Sequence, residues 1–201
     1  MKQSSFFIAA VLIYFFLVPL LTKGYAKTMI KDMTGREVTL PKRVERVVCL
    51  GPGALRLVVY LQAQNKIVGV EDMEKKQNIG RPYWLAHPEL SSLPSCGPGG
   101  PASINKKPSL EKVLSLQAHL LLVTYMEKQL AEEVQKTLGI PVLAFTYGDF
   151  ASFDETIYEA LRLVGKALGK KERAEQVIAF IENERSRLRK RTANIEKAQK
   201  P

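Results

Sequence analysis

Short apolar segments alternate with amphipathic ones along most of this chain, as they do in parallel α/β domains. Four segments have the continuous, partly β-branched apolar character of buried strands: 46–50, 66–70, 119–125 and 142–147. Segments with apolar residues at helical spacing lie between and after them: 54–63, 108–116, 127–139 and 154–169. This alternation predicts an α/β fold, a Rossmann-like lobe whose central parallel sheet is flanked by helices.

Two further patterns flank this lobe. Alternating apolar residues around a turn at 33–36 predict a small β-hairpin that ends at Pro41. From residue 170 onward, about thirty residues contain neither glycine nor proline, which predicts a single helix about 45 Å long. The apolar residues of this helix become sparse toward its end, where nothing in the sequence is left to pack on it. We therefore expect one lobe at 27–169 and a long helix at 170–201, with a second lobe absent, as in a truncated chain.

The first 26 residues have the composition of an export signal. Lys2 precedes a nearly unbroken apolar run at 6–21, and Gly24 and Ala26 provide the small residues of a cleavage site. The sequence predicts a signal peptide at 1–26, and the alternative is an uncleaved anchor, although the apolar run is short for a membrane span. No cysteine follows the run, which excludes a bacterial lipid anchor there. In either case we expect an exported protein, periplasmic or held at the cell surface.

Composition and charge narrow the function further. The chain is 46% hydrophobic and 25% charged, which suits one globular domain with a core, and its net charge is +10. Many of the basic residues stand near the end, with no aromatic residue among them, which is typical of a solvated helix face. We expect a monomer with no nucleic-acid partner.

The cysteines leave two alternatives open. Cys49 and Cys96 could form a disulfide in an oxidising compartment, or both could be small buried thiols in strand-like segments. With only two histidines elsewhere, the cysteines do not form a zinc-binding spacing.

Sequence motifs of enzymes are absent from the chain. It contains no G-x-S-x-G elbow, no phosphate-binding G-x-x-x-x-G-K-[ST] and no H-E-x-x-H. Gly-Pro-Gly at 51–53 resembles the start of a dinucleotide-binding loop, but Arg56 stands where a third glycine is needed. We therefore expect no enzyme activity and no cofactor.

The candidate binding residues follow from the position of strand ends. Ligands of open parallel sheets bind beyond the carboxyl ends of the strands, which here selects loops at 51–54, 71–74, 96–103, 125–127 and 147–150. The long connection at 78–90 adds an arginine and aromatic residues, which suit an anionic or chelated ligand. The predicted ligand-binding residues are Pro52, Gly53, Glu71, Asp72, Arg81, Tyr83, Trp84, Gly99, Gly100, Tyr125 and Tyr147.

Several of these residues also have a structural interpretation. Tyr125 and Tyr147 could coordinate or stack on a ligand, or simply cover the core at the strand ends. Glu71 and Asp72 could bind a cation or be solvated loop acids, and Trp84 could fold inward as a hydrophobic plug. The glycines at 97–100 allow a tight turn, whose N–H groups could meet an anionic ligand.

Two motifs resemble a known family. Arg-Val-Val-Cys-Leu at 46–50, Pro52, Leu61 and Val-Gly-Val at 68–70 match one of its signatures. Pro-Ser-Leu-Glu at 108–111, with apolar residues at 113, 114, 116 and 120–122, is similar to a second. Both belong to the periplasmic substrate-binding proteins of iron-siderophore, haem and cobalamin ABC importers, the class III receptors in which one long helix links two lobes. Departures occur at Ser109 and at 117–119, where the family usually has asparagine and a Lys-Pro-Asp type of turn.

The resemblance implies the N-terminal lobe and linking helix of such a receptor. It implies a substrate-binding component for an iron complex (siderophore or haem) or cobalamin, with a membrane permease as partner and a ferric chelate, haem or corrinoid as ligand. Two alternatives remain: an exported protein for a small oxyanion such as molybdate or tungstate, and a degenerate receptor fragment that binds nothing alone, because half a pocket buries too little ligand.

Overall fold

A two-stranded hairpin precedes a four-stranded parallel sheet. The computed structural model describes residues 28–76, 80–148, 155–193 and 195, so the predicted signal peptide lies outside the described residues. The antiparallel hairpin consists of β1 (Thr28–Lys31) and β2 (Glu37–Leu40). The sheet consists of β3 (Val47–Leu50), β4 (Ile67–Gly69), β5 (Leu120–Thr124) and β6 (Val142–Phe145). Its strand order is β4-β3-β5-β6, and all neighbours are parallel.

Helices connect the strands and cover both faces of the sheet. They are α1 (Ala54–Tyr60), α2 (Asp72–Lys76), α3 (Pro82–Leu85), α4 (Leu110–Ser115), α5 (Lys128–Leu138), α6 (Glu155–Leu168) and α7 (Lys171–Arg191). Helices α1 and α6 pack on one face, and α4 and α5 pack on the other. The α/β lobe predicted from the alternation of apolar segments is confirmed.

The central strand β5 explains why its sequence is apolar without interruption. Leu120 and Leu122 point into the core layer under α1 and α6, while Leu121 and Val123 point into the layer under α4 and α5. All of these side chains are buried, and each contributes roughly 1.5–3 kcal/mol relative to an exposed position. A parallel strand covered on both faces has no polar side, so its pattern is continuous and not alternating.

The hairpin is fixed to the edge of the sheet by a buried ion pair. Asp32 and Arg36 lie in the turn between β1 and β2, and Arg36 Nη2 donates to Asp32 Oδ2 at 2.7 Å. The same guanidinium donates to the carbonyl oxygen of Val142, and Met33 N–H donates to the carbonyl oxygen of Ala144. The turn therefore occupies hydrogen-bonding groups along the edge strand β6, which would otherwise be open to another chain.

The C-terminal helix is shorter than the sequence pattern predicts. We expected about thirty helical residues, but α7 spans 21 and ends at Arg191, a length of about 32 Å. Thr192 is the C-terminal cap, where the backbone leaves the helical region, and its hydroxyl donates to the carbonyl oxygen of Leu188. The buried side chains of α7, Ala174 and Ile178, lie in its first half, Arg185 further along donates to Tyr158 Oη of α6, and Leu188 is exposed. No helix of the described residues combines the length and the apolar character needed to cross a membrane.

Both cysteines are free thiols in the core. Cys49 belongs to the layer under α1 and α6, and Cys96 belongs to the layer under α4 and α5, on the other side of the sheet. The structure thus has the second arrangement considered above, two buried thiols instead of a disulfide.

Candidate functional site

The loop after β3 is pressed against the end of β5. Gly51 and Gly53 both have positive φ, which turns the chain sharply from β3 into α1. A Cβ on Gly51 would lie 2.4 Å from Thr124 Oγ1, and this hydroxyl donates to the carbonyl oxygen of Pro52 at 3.0 Å. The loop 51–53 is therefore held rigidly at the carboxyl edge of the sheet, where ligands of parallel sheets bind.

A cleft of about 480 Å³ opens beside this loop. One wall consists of the loop 51–53 and the exposed side of α1, and the opposite wall consists of α2, α3 and residues near Gly100. Six of the residues predicted from the sequence line it: Pro52, Gly53, Glu71, Arg81, Tyr83 and Gly100. Residues selected at strand ends, together with Arg81 and Tyr83 of the long connection, thus surround one cleft.

The floor of the cleft contains a buried carboxylate with two donors. Glu74 Oε2 accepts hydrogen bonds from Arg81 Nη1 at 2.9 Å and from Tyr83 Oη at 2.8 Å. Arg81 Nη1 also donates to the carbonyl oxygen of Met73 at 2.9 Å, which fixes the guanidinium against α2. Burial, together with the nearby negative charge of Glu74, raises the pKa of Tyr83. The phenol therefore stays protonated and serves as a hydrogen-bond donor.

A second buried carboxylate, Glu71, separates the cleft from a smaller cavity of about 120 Å³. Burial raises the pKa of Glu71, a hydrogen bond from the Gly51 backbone lowers it, and the charge of Glu74 raises it further. The first effect prevails, so this carboxyl group takes up a proton more readily than an exposed glutamate. A Cβ on Gly99 would lie 2.7 Å from the Glu71 Cβ, which explains a glycine at this point.

The glycine-rich loop uses its carbonyl groups to hold α2. The carbonyl oxygens of Gly97 and Pro98 accept hydrogen bonds from the backbone N–H groups of Asp72 and Met73, at 2.9 and 3.0 Å. We expected this loop to offer N–H groups to an anion. In the described residues it instead fixes the first turn of α2, which carries Glu74.

A cluster of two tyrosines and one arginine lies beside the cleft. The rings of Tyr125 and Tyr147 meet edge to face, with centroids 5.3 Å apart, and Tyr125 Oη donates to the carbonyl oxygen of Gly148 at 2.7 Å. The guanidinium carbon of Arg56 lies 5.0 Å from the centroid of the Tyr147 ring, a cation–π contact. Burial and the neighbouring Tyr125 raise the pKa of Tyr147, while Arg56 opposes the change. Tyr147 is therefore a neutral ring at neutral pH, and a phenolate ligand for ferric iron would have to overcome this shift.

The structure corrects parts of the predicted site. Trp84 does not face the cleft: it is 3% exposed and packs in the core, so the plug interpretation applies and we remove it from the binding residues. Asp72 begins α2 but does not line the cleft, and Gly99 lines the smaller cavity. Tyr125 and Tyr147 are not among the residues that line this cleft; both are half-buried, and Tyr147 contacts Gly53 and Arg56 of its wall.

The predicted binding residues omit two charged residues of the cleft: Arg56, and Glu74, which lies within the selected loop 71–74 but was not named. Arg56 stands in the first turn of α1, near the carboxyl edge of the sheet, where parallel sheets bind their ligands. Glu74 stands in the short helix α2, which begins directly after Glu71, so both carboxylates lie close to the end of β4. Neither residue was named as a ligand contact, because a charged side chain in a predicted helix is usually assigned to the solvent-exposed face.

Among residues 28–76, 80–148 and 155–193, no three His, Cys, Asp or Glu side chains are grouped as metal ligands. Chemically the cleft offers cations, phenol groups and buried carboxylates, which suit binding of a polar solute by hydrogen bonds and charge.

Comparisons with known proteins identify the relatives of this chain. The sequence profile described as periplasmic binding protein matches residues 47–201. The molybdate-binding protein MolA of Haemophilus influenzae is 32% identical over 147 residues, which make up 73% of this chain and 38% of MolA. The uncharacterized ABC transporter substrate-binding lipoprotein YvrC of Bacillus subtilis is 24% identical over 171 residues, or 84% of this chain and 48% of YvrC.

Solved structures share the fold. MolA bound to molybdate superimposes with a TM-score of 0.70 at 23% identity, covering 86% of this chain and 56% of MolA. SirA of Staphylococcus aureus, complexed with staphyloferrin B, gives a TM-score of 0.62 at 24% identity, covering 85% of this chain and 52% of SirA.

The chain spans less than half the length of the two curated relatives. The profile match covers most of the chain, and the residues it shares with solved neighbours are those of their N-terminal part. The resemblance noted in the sequence is thereby confirmed, and the chain belongs to the periplasmic binding protein family.

Proposed function

We propose that this chain is the N-terminal lobe of the substrate-binding component of an ABC importer, and that its ligand is a small oxyanion of the molybdate type. The observation that carries the proposal is a cleft at the carboxyl edge of the sheet, in a member of the periplasmic binding protein family. The residues present bind and orient a solute, and nothing in their arrangement calls for a chemical step.

The identity to MolA supports an oxyanion ligand. At 32% over 147 residues it exceeds the identity to solved receptors of iron complexes, which supports the shared fold alone. The sequence motifs favour an iron complex or cobalamin over an oxyanion, and the identity to MolA reverses that order. The tyrosines lend no support to iron in this cleft, because Tyr125 and Tyr147 are not among the residues that line it.

A ferric chelate is the second candidate, because one observation favours it. The cleft is about 480 Å³ and opens widely, which is large for a tetrahedral oxyanion of a few ångströms but suits part of a chelate. The ligand classes are separated by isothermal titration calorimetry of the purified chain with sodium molybdate, sodium tungstate, ferric citrate, haem and cobalamin. The proposal expects saturable binding of molybdate and tungstate. Binding of only the iron or corrin compounds would replace the oxyanion, and binding of none would favour the degenerate fragment.

The proposed importer also requires export and a permease. We expect residues 1–26 to direct export and to be removed, so that the mature chain in the periplasmic fraction starts at Lys27. Mass spectrometry of the N-terminal peptide tests this expectation. A chain that retains Met1 in the membrane fraction would indicate a cell-surface anchor.

A further inference from the structure

Arg56 is a cation of the cleft whose hydrogen-bonding groups are not all satisfied within the described residues. Its side chain lines the cleft, and its Nε atom is buried without any hydrogen-bond partner among the described residues. An unpaired buried donor destabilises a protein by the lost hydration of that group, so such atoms in folded proteins call for an explanation. The guanidinium is therefore incompletely satisfied within the protein, and a ligand in the cleft that pairs with its charge would compensate for that loss.

The other charged groups of the cleft, Arg81, Glu74 and Glu71, have partners within the protein. Arg81 is paired with Glu74 at 2.9 Å, and the pair is neutral as a whole. Glu71 is buried, and its carboxyl group accepts a hydrogen bond from the backbone of Gly51. Among the described residues, Arg56 is therefore the cleft cation that has no carboxylate partner.

The guanidinium is also held in position before any ligand arrives. Its carbon lies 5.0 Å from the centroid of the Tyr147 ring, and this ring is itself wedged against Gly53 and Tyr125. A cation held by the face of a ring keeps its N–H groups free at the edges, because a cation–π contact consumes none of them. Pre-positioning of this kind lowers the entropy lost on binding.

We propose that Arg56 is the anion-contacting residue of the cleft and that Tyr147 is its positioning residue. The guanidinium donates paired hydrogen bonds to an oxyanion, or to a carboxylate of an anionic chelate, and so selects for negative charge. The inference rests on the proposed function, which it deepens by assigning the charge selection of the ligand to one side chain.

The test combines affinity with stability in three variants of the chain. Arg56→Met removes the cation at similar side-chain length, Arg56→Lys keeps the charge without the planar fork, and Arg43→Met is the matched control. Arg43 is exposed and ion-paired with Glu45 just before β3, at the opposite edge of the sheet. The dissociation constant for molybdate and for ferric citrate is measured by calorimetry, and the Tm of the ligand-free protein by thermal denaturation.

We expect Arg56→Met to weaken binding by roughly 30-fold or more, since truncating one side of a buried charged contact has an effect of that size. Arg56→Lys should lie between wild type and Arg56→Met, and Arg43→Met should bind as wild type does. The ligand-free Tm of Arg56→Met should change little, because removal of an unpaired buried donor offsets loss of the cation–π contact with Tyr147. A merely structural arginine would instead lower Tm and affinity together.

The positioning role of Tyr147 is tested by two further variants. Tyr147→Phe keeps the ring beneath the guanidinium and should bind within a few-fold of wild type, whereas Tyr147→Leu should weaken binding clearly. Equal affinity of Arg56→Met and wild type would overturn the inference and leave the proposed function standing. A wild-type chain that binds neither molybdate nor ferric citrate overturns both.

Discussion

Gly53 and Tyr147 approach each other so closely that no side chain fits between them. A Cβ on Gly53 would lie 2.6 Å from Tyr147 Cε1 and 3.0 Å from Cζ. Gly53 also has a φ of 79°, which other residues adopt only with strain. Since the ring of Tyr147 carries the guanidinium of Arg56 on its face, this glycine sets the position of the cation in the cleft.

Gly53→Ala should therefore destabilise the protein through two separate effects. The left-handed backbone costs alanine about 1–2 kcal/mol, and displacement of the ring adds to it. Gly139→Ala is the matched control, because Gly139 also has positive φ (66°) but a Cβ there meets nothing within 4 Å. Urea unfolding should show a larger loss of free energy for Gly53→Ala than for Gly139→Ala. Equal losses would mean that the ring moves away freely and that Gly53 does not fix it.

The loops at the cleft were predictable because strand ends are a property of topology. Once four parallel strands are recognised, the places where they end must share one edge of the sheet, and residues such as Glu71 and Gly53 follow. Trp84 was not predictable in this way. Whether an aromatic side chain in a long loop points inward depends on the space left by distant elements, and here that space lies in the core layer under α1 and α6.

Arg56 and the end of α7 are two features that the spacing of apolar residues does not predict. The pattern of α1 marks its apolar face correctly, but it does not tell whether the remaining side of the helix meets water or a cleft. In α7, helix-forming residues continue past Arg191, yet the helix ends where the Thr192 hydroxyl satisfies a carbonyl of the last turn. Composition over a long window does not resolve a single capping residue.

Glu71→Gln should stabilise the protein at neutral pH. Burial raises the pKa of Glu71 above its ordinary value of 4.5, so the folded state favours the protonated form. The stabilising contribution of this group is complete below pH 4.5 and is lost as the pH rises through its folded pKa. A neutral glutamine avoids that loss, and we expect a gain on the order of 1 kcal/mol at pH 7.

The measurement is urea unfolding of wild type and Glu71→Gln at pH 4 and pH 7. The difference between them should shrink at pH 4, where wild-type Glu71 is largely protonated in both states. Glu132→Gln, an exposed residue on α5, controls for removal of one negative charge. A loss of stability at pH 7 would indicate that the hydrogen bond from Gly51 outweighs the desolvation of the carboxylate.

The two thiols should be unreactive in the folded protein. Cys49 and Cys96 are 2% and 0% exposed, and burial raises the pKa of both, that of Cys96 to about 11. Since the thiolate is the reactive form, Ellman's reagent at pH 8 should label neither in the native state. In guanidinium chloride without reductant, two thiols per chain should react. A count of zero, restored to two by reduction, would mean that the chain forms a disulfide.

Asp32→Asn should be the most destabilising of these substitutions. It leaves the Arg36 guanidinium buried without its carboxylate, and loss of one partner from a buried ion pair costs about 3–5 kcal/mol. Burial would raise the pKa of Asp32, but hydrogen bonds from Thr34 and Arg36 and the charge of Arg36 hold it below its ordinary value of 3.8. The stability from this pair is therefore present above pH 3.8 and is lost as the pH falls through the folded pKa.

Urea unfolding at pH 7 and pH 3 measures the effect, and the double variant Asp32→Asn/Arg36→Met separates the ion pair from the hairpin. At pH 7 the double variant should recover most of the loss, because it no longer buries an unpaired charge. At pH 3 the gap between wild type and Asp32→Asn should begin to narrow. If the double variant is as unstable as Asp32→Asn, the loss comes instead from the contacts of Asp32 and Arg36 with the backbone of β6, since Arg36 donates to Val142 and Ala144 N–H donates to Asp32. The hairpin would then be held to the edge strand mainly by these hydrogen bonds and only secondarily by charge.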